Sequence, residues 1–231
     1  MRARSVLVLL SLVVAGIAAT TTWYARYHYD PTAGPIDGSH NGLSYSQPLD
    51  VRQDFSIGIT TLYNRGQTPV VVDRVRLLGV TGSLEVSGVN TRTWPQDGGE
   101  QLIGDFGFPP ARYASKPLSE QNVVPVAKQF DKATGTALEG LELVIGIRAM
   151  EPGIAAYRAV EVRYRAGRRH YREVFEANAV HLCAPLSDFV DSTPPVNRTI
   201  RDCPPRELED KFEDRVLDWP PPSASKNAAR P

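Results

Sequence analysis

The sequence predicts an all-β protein built around an immunoglobulin-like antiparallel β-sandwich, and three observations support this fold class. Apolar residues between positions 50 and 183 alternate with polar ones at the two-residue period of strands. Turn-forming residues separate these segments, and the chain contains 19 prolines and 18 glycines. About seven short strands result, the number expected for two packed antiparallel sheets.

The clearest element is a hairpin over residues 160–175. Val160, Val162 and Tyr164 share one strand face, and charged residues occupy the other. A two-residue turn at Gly167-Arg168, with glycine supplying a positive φ, would place Tyr164 opposite Tyr171 and Val160 opposite Phe175. This register brings aromatic and β-branched side chains together on one side, which stabilises paired strands.

The remaining strands follow in order along the domain. We expect a first strand around Phe55, a second over residues 70–78, a third, shorter one within 82–90, and a short one near 123–126. The strongest single strand covers residues 141–150, where alternate apolar side chains share a face. Together with the hairpin, these strands fill residues 50–183.

The amino terminus predicts membrane insertion. Residues 1–4 carry Arg2 and Arg4 and form a cytoplasmic n-region, and residues 5–24 form an apolar run that nearly spans a bilayer. Aromatic residues follow the run, as at a membrane interface, and the positive-inside rule places the rest of the chain outside the cell membrane. A cleaved signal peptide is the alternative, because a basic start, an apolar centre and small residues near position 18 also fit it.

The segments that flank the domain have their own predictions. Residues 25–49 are rich in glycine, proline and serine and predict a linker. Residues 184–219 form an extension after the domain, and apolar residues spaced four apart within 206–219 predict an amphipathic helix. That helix is either packed on the domain or a partner-binding element. Proline-rich residues 220–231 predict a disordered tail.

The chain contains two cysteines, Cys183 and Cys203, both beyond the predicted membrane segment. In an oxidising compartment an isolated pair of cysteines indicates a disulfide, here one that ties the extension to the domain. The alternative is a blue-copper site that uses His181 and Cys183. Such a site needs a further histidine and usually a methionine after the cysteine, and neither follows Cys183. We therefore predict no metal and no cofactor.

The segment 91–121 is the least regular part of the domain. It carries three aromatic residues, Trp94, Phe106 and Phe108, between prolines and glycines. One interpretation is an insertion packed by these aromatics. The other is a recognition loop, since exposed aromatic side chains in loops commonly anchor partners.

Positive charge is concentrated on the hairpin. Arg163, Arg165 and Arg172 would lie on its outward face, with Arg168 and Arg169 at its tip. One interpretation is a solvated strand face whose charges protect an edge from aggregation. The other is a docking patch for an anionic lipid, a cell-wall polymer or an acidic protein.

Composition and motifs limit the function classes. The 26 basic and 26 acidic side chains balance, which disfavours a nucleic-acid binder. The sequence lacks the common nucleophile, zinc-protease and phosphate-binding motifs, which disfavours an enzyme. With its amino-terminal apolar run and one β-domain, the chain resembles the uncharacterised single-pass exported bacterial proteins that carry one Ig-like domain.

From these features we expect a non-enzymatic, membrane-anchored extracytoplasmic domain for protein interaction or scaffolding in the cell envelope. The alternative is a ligand-binding domain for an anionic envelope lipid or polymer, which would use the face formed by Arg163, Arg165 and Arg172 together with the 91–121 loop.

Overall fold

The computed structural model describes residues 34–37, 44–94, 102, 104–128, 139–176, 178–188, 203 and 214–219. Apart from one 3₁₀ turn at Leu186–Asp188, the regular elements in these residues are strands, so the predicted all-β class is confirmed. None of these residues belongs to a helix that is long and apolar enough to cross a membrane. The predicted anchor at 5–24 and the predicted tail at 220–231 lie outside the described residues.

The described strands run in chain order from the linker region to the carboxyl-terminal extension. They are β1 (Ile36–Asp37), β2 (Tyr45–Pro48), β3 (Phe55–Asn64), β4 (Val70–Val80), β5 (Leu84–Trp94), β6 (Asp105–Phe106), β7 (Lys116–Pro117), β8 (Val123–Val124), β9 (Gly140–Ala149), β10 (Gly153–Tyr157), β11 (Ala159–Ala166), β12 (Arg169–Phe175), β13 (Val180–Ala184) and β14 (Arg215–Trp219).

These strands form two layers. The first sheet has the order β1-β3-β9-β5-β7, with β6 also paired to β3. The second has the order β12-β11-β4-β14, with β8 also paired to β4. A smaller sheet has the order β10-β13-β2, and its β10 and β13 are the strands before and after the β11-β12 hairpin in the chain. The central order β3-β9-β5 opposite β4-β11-β12 matches the two sheets of an immunoglobulin constant-type sandwich. The pairing is antiparallel except between β2 and β13, which are parallel.

One apolar core lies between the two layers. Leu143 and Ile145 of β9 pack from the first sheet, and Val75 of β4 and Val162 of β11 pack from the second. All four side chains are fully buried. The predicted β-sandwich is therefore confirmed.

The predicted hairpin register is also confirmed. Tyr164 pairs with Tyr171 and Val160 pairs with Phe175 across β11 and β12. The two tyrosine rings stack with centroids 5.5 Å apart. Gly167 has a φ of 59°, a left-handed conformation that glycine adopts without a steric penalty.

The first sheet is buried on both faces. Nine of the ten residues of β9, including the outward-facing Glu142 and Gly146, are buried. The segment that follows β5 covers this outer face, and we call its described residues, 102 and 104–128, the excursion. For example, Leu102 accepts a hydrogen bond from the N–H of Gly58, and a Cβ at Gly58 would lie 2.8 Å from the Leu102 Cβ.

Two predictions about the flanking segments are wrong. The predicted helix at 206–219 is instead a strand at Arg215–Trp219, where β14 pairs with the edge of β4; residues 206–213 lie outside the described residues. The predicted linker at 25–49 contains β1 and β2, which pair with β3 and β13. In both places the unpaired edge of a neighbouring strand offers backbone hydrogen bonds that local composition does not reveal.

The predicted disulfide between Cys183 and Cys203 is present. Cys183 lies in β13, so the bond ties the segment before β14 to the small sheet. Because Cys183 is oxidised, its sulfur is not a thiolate ligand, and the blue-copper alternative with His181 is wrong.

Candidate functional site

The arginines of the hairpin lie on the outer face of the second sheet. Arg163 of β11 is directly opposite Arg172 of β12 and Arg74 of β4, so the three side chains form one row across the sheet. In the next row, Glu161 is opposite Arg76, and Arg76 is opposite Asp218 of β14. The rows place cationic and anionic side chains side by side on one surface.

Glu161 is the centre of this surface. Its carboxylate accepts hydrogen bonds from Arg163 Nε at 2.8 Å, from Arg76 Nη1 at 3.1 Å and from Arg172 Nε. Arg76 Nε also contacts Asp218 Oδ1 at 2.6 Å. The Glu161 side chain is only 1% exposed because the arginines cover it. Burial alone would raise the pKa of Glu161, but the three arginines hold it below its ordinary value.

The outer part of the surface is less well compensated. Arg165 Nε lies 3.3 Å from Asp73 Oδ1, and His170 Nδ1 lies 3.9 Å from Asp73 Oδ2. Arg168 and Arg169, both exposed, form no ion pair with any residue in the described ranges. The tip of the hairpin therefore carries two adjacent arginines without an ion pair among the described residues.

The structure thus brings the five predicted arginines together but gives them different roles. Arg163 and Arg172 are structural partners of Glu161, and Arg165 is a partner of Asp73. Of these five arginines, Arg168 and Arg169 have no carboxylate partner among the described residues. Sequence reasoning did not identify Glu161, because its position between Val160 and Val162 predicts only that it lies on the outward face, and not that three arginines cover it.

The edge of β12 is open. β12 pairs with β11 on one side, and within the described residues no strand pairs with its other side. An open edge presents unpaired backbone N–H and C=O groups, and positive charge along it discourages pairing with another copy of the same strand. The tip arginines and this edge together form what we call the arginine face, defined by residues 163–172.

The aromatic residues of the excursion have separate environments. Phe108 packs over two glycines on the outer face of the first sheet, since a Cβ at Gly88 or Gly146 would lie 2.3 Å from its ring. Phe106 is 51% exposed and meets the ring of Phe55 edge-on at 5.9 Å. The backbone of Trp94 ends β5, and its side chain lies outside the described set. Phe108 therefore acts as a packing residue, as the first interpretation of this segment expects.

A buried ion pair holds the excursion to the sheet. Arg92 of β5 lies opposite Glu142 of β9, and its Nε donates to the Glu142 carboxylate. The N–H of Leu102 donates to Glu142 Oε1 at 3.1 Å, and the Arg92 guanidinium lies 4.7 Å from the centre of the Tyr113 ring. Burial raises the pKa of Glu142 to about 7, although Arg92 and the Leu102 N–H favour the charged form.

A cleft of about 340 Å³ lies between the two sheets and the excursion. β4 and β14 of the second sheet form one wall, with Val72 and Trp219, and β5 of the first sheet forms another. The excursion completes it with Phe108 and Leu118. The cleft is therefore a concave site formed where both sheets and the excursion meet.

The two predicted binding elements lie on different faces of the sandwich. The 91–121 loop lies against the first sheet, where Phe108 packs on the outer face, whereas the arginine face belongs to the second. They approach each other at Asp73, which lines the cleft and also pairs with Arg165. After the loop, the excursion continues into β8, which pairs with β4 of the second sheet. No group of three or more metal-binding side chains occurs in the part of the chain that the structure describes.

The chain is similar to the ASH/PapD-like domain of human CEP192 (PapD-like domain 7), with a TM-score of 0.32 and 9% sequence identity over 68% of this chain and 89% of that one. Neither a protein-family model nor a curated protein matches the sequence. A similarity at this level says nothing about what the chain binds.

Proposed function

We propose that this chain is a non-enzymatic, membrane-anchored extracytoplasmic β-sandwich that acts as a protein-interaction or scaffold domain of the cell envelope. The observation that carries the interaction role is the arginine face, where exposed and uncompensated cations lie beside an open strand edge. A partner with acidic side chains would gain charge-assisted contacts at Arg168 and Arg169 without breaking the pairs around Glu161.

The construction of the face supports docking of a partner. Glu161 fixes Arg163 and Arg172 in one orientation, so these side chains lose little conformational entropy when a partner binds. The tip lies at the end of the sheet and is accessible to a large partner. The anchor over residues 5–24 and the envelope location rest on the sequence pattern and complete the proposal.

The second candidate is a ligand-binding domain for an anionic envelope lipid or polymer. The same two cations favour it, because an anionic headgroup or polymer would be attracted to Arg168 and Arg169. Since the 91–121 loop lies against the first sheet and the arginine face belongs to the second, this candidate depends on the arginine face for its binding surface.

One pair of variants tests the proposal. Arg168→Glu combined with Arg169→Glu reverses the tip, and Arg112→Glu combined with Lys116→Glu makes the same charge change at exposed positions of the excursion. Chemical crosslinking of the full chain in its native membrane should give a discrete protein adduct that the tip variant loses and the excursion variant keeps. Loss in both variants or in neither contradicts a specific role of the face.

A separate arm distinguishes the second candidate. Vesicles that contain phosphatidylglycerol and vesicles of phosphatidylcholine alone are mixed with the full chain and with both variants. Selective binding to the anionic vesicles that depends on the tip, without a protein adduct, would favour lipid binding over the protein-interaction role.

A further inference from the structure

The cleft is lined by residues that lie outside the arginine face. β4 and β5 each contain a bulge beside it: Asp73 is the extra residue of β4 opposite β11, and Ser87 is the extra residue of β5 opposite β9. Both bulged residues line the cleft. A bulge interrupts the strand ladder and redirects side chains, and bulges are frequent next to binding sites.

The walls combine apolar surface with a few polar groups. Phe108, Trp219 and Leu118 supply aromatic and aliphatic surface, and Asn90 and Asn122 supply amides. Such a combination is typical of sites for small molecules, and the volume of about 340 Å³ lies in the range of such sites, roughly 300–1,000 Å³.

The amides are held in fixed positions. Asn90 Nδ2 donates to Ser115 Oγ at 3.0 Å, and Asn122 Nδ2 donates to the carbonyl of Val72 at 3.2 Å. The Oδ1 atoms of both amides are acceptors that these bonds do not use. Preorganised acceptors in an apolar cleft favour a ligand that donates a hydrogen bond.

The charge of the lining limits the ligand further. Asp73 is the single ionisable residue among the described residues that line the cleft, and none of these is lysine, arginine or histidine. An anionic ligand would lose its hydration without gaining a cationic partner, and it would meet the Asp73 carboxylate. A cationic ligand would not meet an uncompensated carboxylate either, because Asp73 already pairs with Arg165, so the lining favours an uncharged ligand.

We propose that this cleft is a binding site for a small, uncharged molecule with an aromatic or aliphatic body and a hydrogen-bond donor. Because Trp219 belongs to β14, the bound molecule bridges β14 and the excursion, and its binding stabilises the docked position of the carboxyl-terminal strand. The site is independent of the arginine face and of the protein-interaction role.

The test uses indole, which has an aromatic body and one N–H donor, and indole-3-acetate as its anionic counterpart. A calorimetric titration of the full chain with each compound should show saturable indole binding and at least about tenfold weaker binding of indole-3-acetate. Hydrogen exchange should slow in residues 117–122 and 216–219 when indole is bound, and it should not change in β12.

Two neighbouring exposed residues provide the matched variants. Ser119 lines the cleft and Glu120 does not, so Ser119→Trp should weaken indole binding by at least about tenfold while Glu120→Trp leaves it unchanged. Binding that does not saturate, or that resists Ser119→Trp, would overturn the site. Equal affinity for indole-3-acetate would overturn the assigned ligand class.

Discussion

Arg163 and Arg172 lie directly opposite each other on β11 and β12, and both donate hydrogen bonds to the buried carboxylate of Glu161. Two like charges directly opposite each other would destabilise a hairpin. Here the negative charge of the shared Glu161 offsets this repulsion, and Arg76, which contacts both Glu161 and Asp218, extends the network. The same arrangement gives the outer face of the sheet a fixed pattern of cations.

Glu161→Gln should destabilise the domain by about 1–3 kcal/mol, because the three arginines lose an ionised acceptor. Equilibrium unfolding in urea measures the change. Glu85→Gln is the matched control, since the side chains of Glu85 and its partner Arg148 are far more exposed than Glu161 and their pair should contribute less than about 1 kcal/mol. Equal losses of unfolding free energy in the two variants would mean that the network at Glu161 contributes no more to stability than the single pair of Glu85 with Arg148.

Glu142 should make the stability depend on pH near neutrality. Burial raises its pKa from 4.5 to about 7, so the folded protein binds a proton there more tightly than the unfolded chain. The resulting stabilisation is fully present below about pH 4.5 and is lost as the pH rises through about 7. Urea unfolding at pH 5 and pH 8 should therefore show a lower free energy of unfolding at pH 8.

Glu142→Gln should reduce this dependence, because glutamine does not titrate, and the smaller slope that remains should come from Glu173, whose pKa burial also raises. The lowered pKa of Glu161 means that this residue is ionised in both states above pH 5, so it adds no slope in the same range. An unchanged pH slope in the glutamine variant would show that another group titrates.

Phe108 and Gly146 should be energetically coupled. A Cβ at Gly146 would lie 2.3 Å from Phe108 Cγ, so Gly146→Ala should displace the ring and destabilise the domain by about 1–3 kcal/mol. In Phe108→Ala the same glycine substitution should cost clearly less, since the ring is absent. Additive effects in this double-mutant cycle would contradict packing of the excursion on the sheet.

Reduction of the disulfide between Cys183 and Cys203 should release β14 before it affects the core. The bond has a sequence separation of 20 residues and contributes roughly 3 kcal/mol by limiting the unfolded chain. After reduction, hydrogen exchange should accelerate most in residues 215–219, whereas exchange in β9 should rise only by the factor that the loss of about 3 kcal/mol in global stability allows. A variant with both cysteines replaced by alanine should not respond to the reductant, and a response there would assign the effect to something other than the disulfide.

Local pattern was sufficient to predict the hairpin and the disulfide. The register of β11 and β12 follows from a two-residue alternation and one glycine, both of which lie within a short stretch of sequence. The cysteine pair required only the absence of any other partner cysteine. These features depend on neighbours in the sequence or on counting, so no long-range contact had to be known.

The carboxyl-terminal strand was not predicted because two patterns overlap in the same residues. Val216 fits the helical spacing with earlier apolar residues, but Leu217 and Trp219 also alternate toward the core, as in a strand. The free edge of β4 decides between them, because it accepts β14 as an additional strand. Since this edge lies far away in sequence, tertiary pairing overrode the local helical pattern.

Two further features, the cleft and the ion pair between Arg92 and Glu142, also depend on contacts between residues that are far apart in the sequence. Glu142 lies within an apolar strand, which indicates that a partner is needed but not which one. The excursion supplies the N–H of Leu102 and the ring of Tyr113 to this ion pair. It reaches the ion pair only by folding back over the sheet. Its irregular sequence contains no period from which this path could be predicted.

The most direct test of the interaction role is site-specific photocrosslinking from the arginine face in the native membrane. A photoreactive residue at His170, which is 77% exposed, should give one discrete protein adduct, and the same residue at Arg112 should not. The adduct should disappear when Arg168→Glu and Arg169→Glu are added. Identical adducts from both positions, or an adduct that survives the charge reversal, would contradict the account.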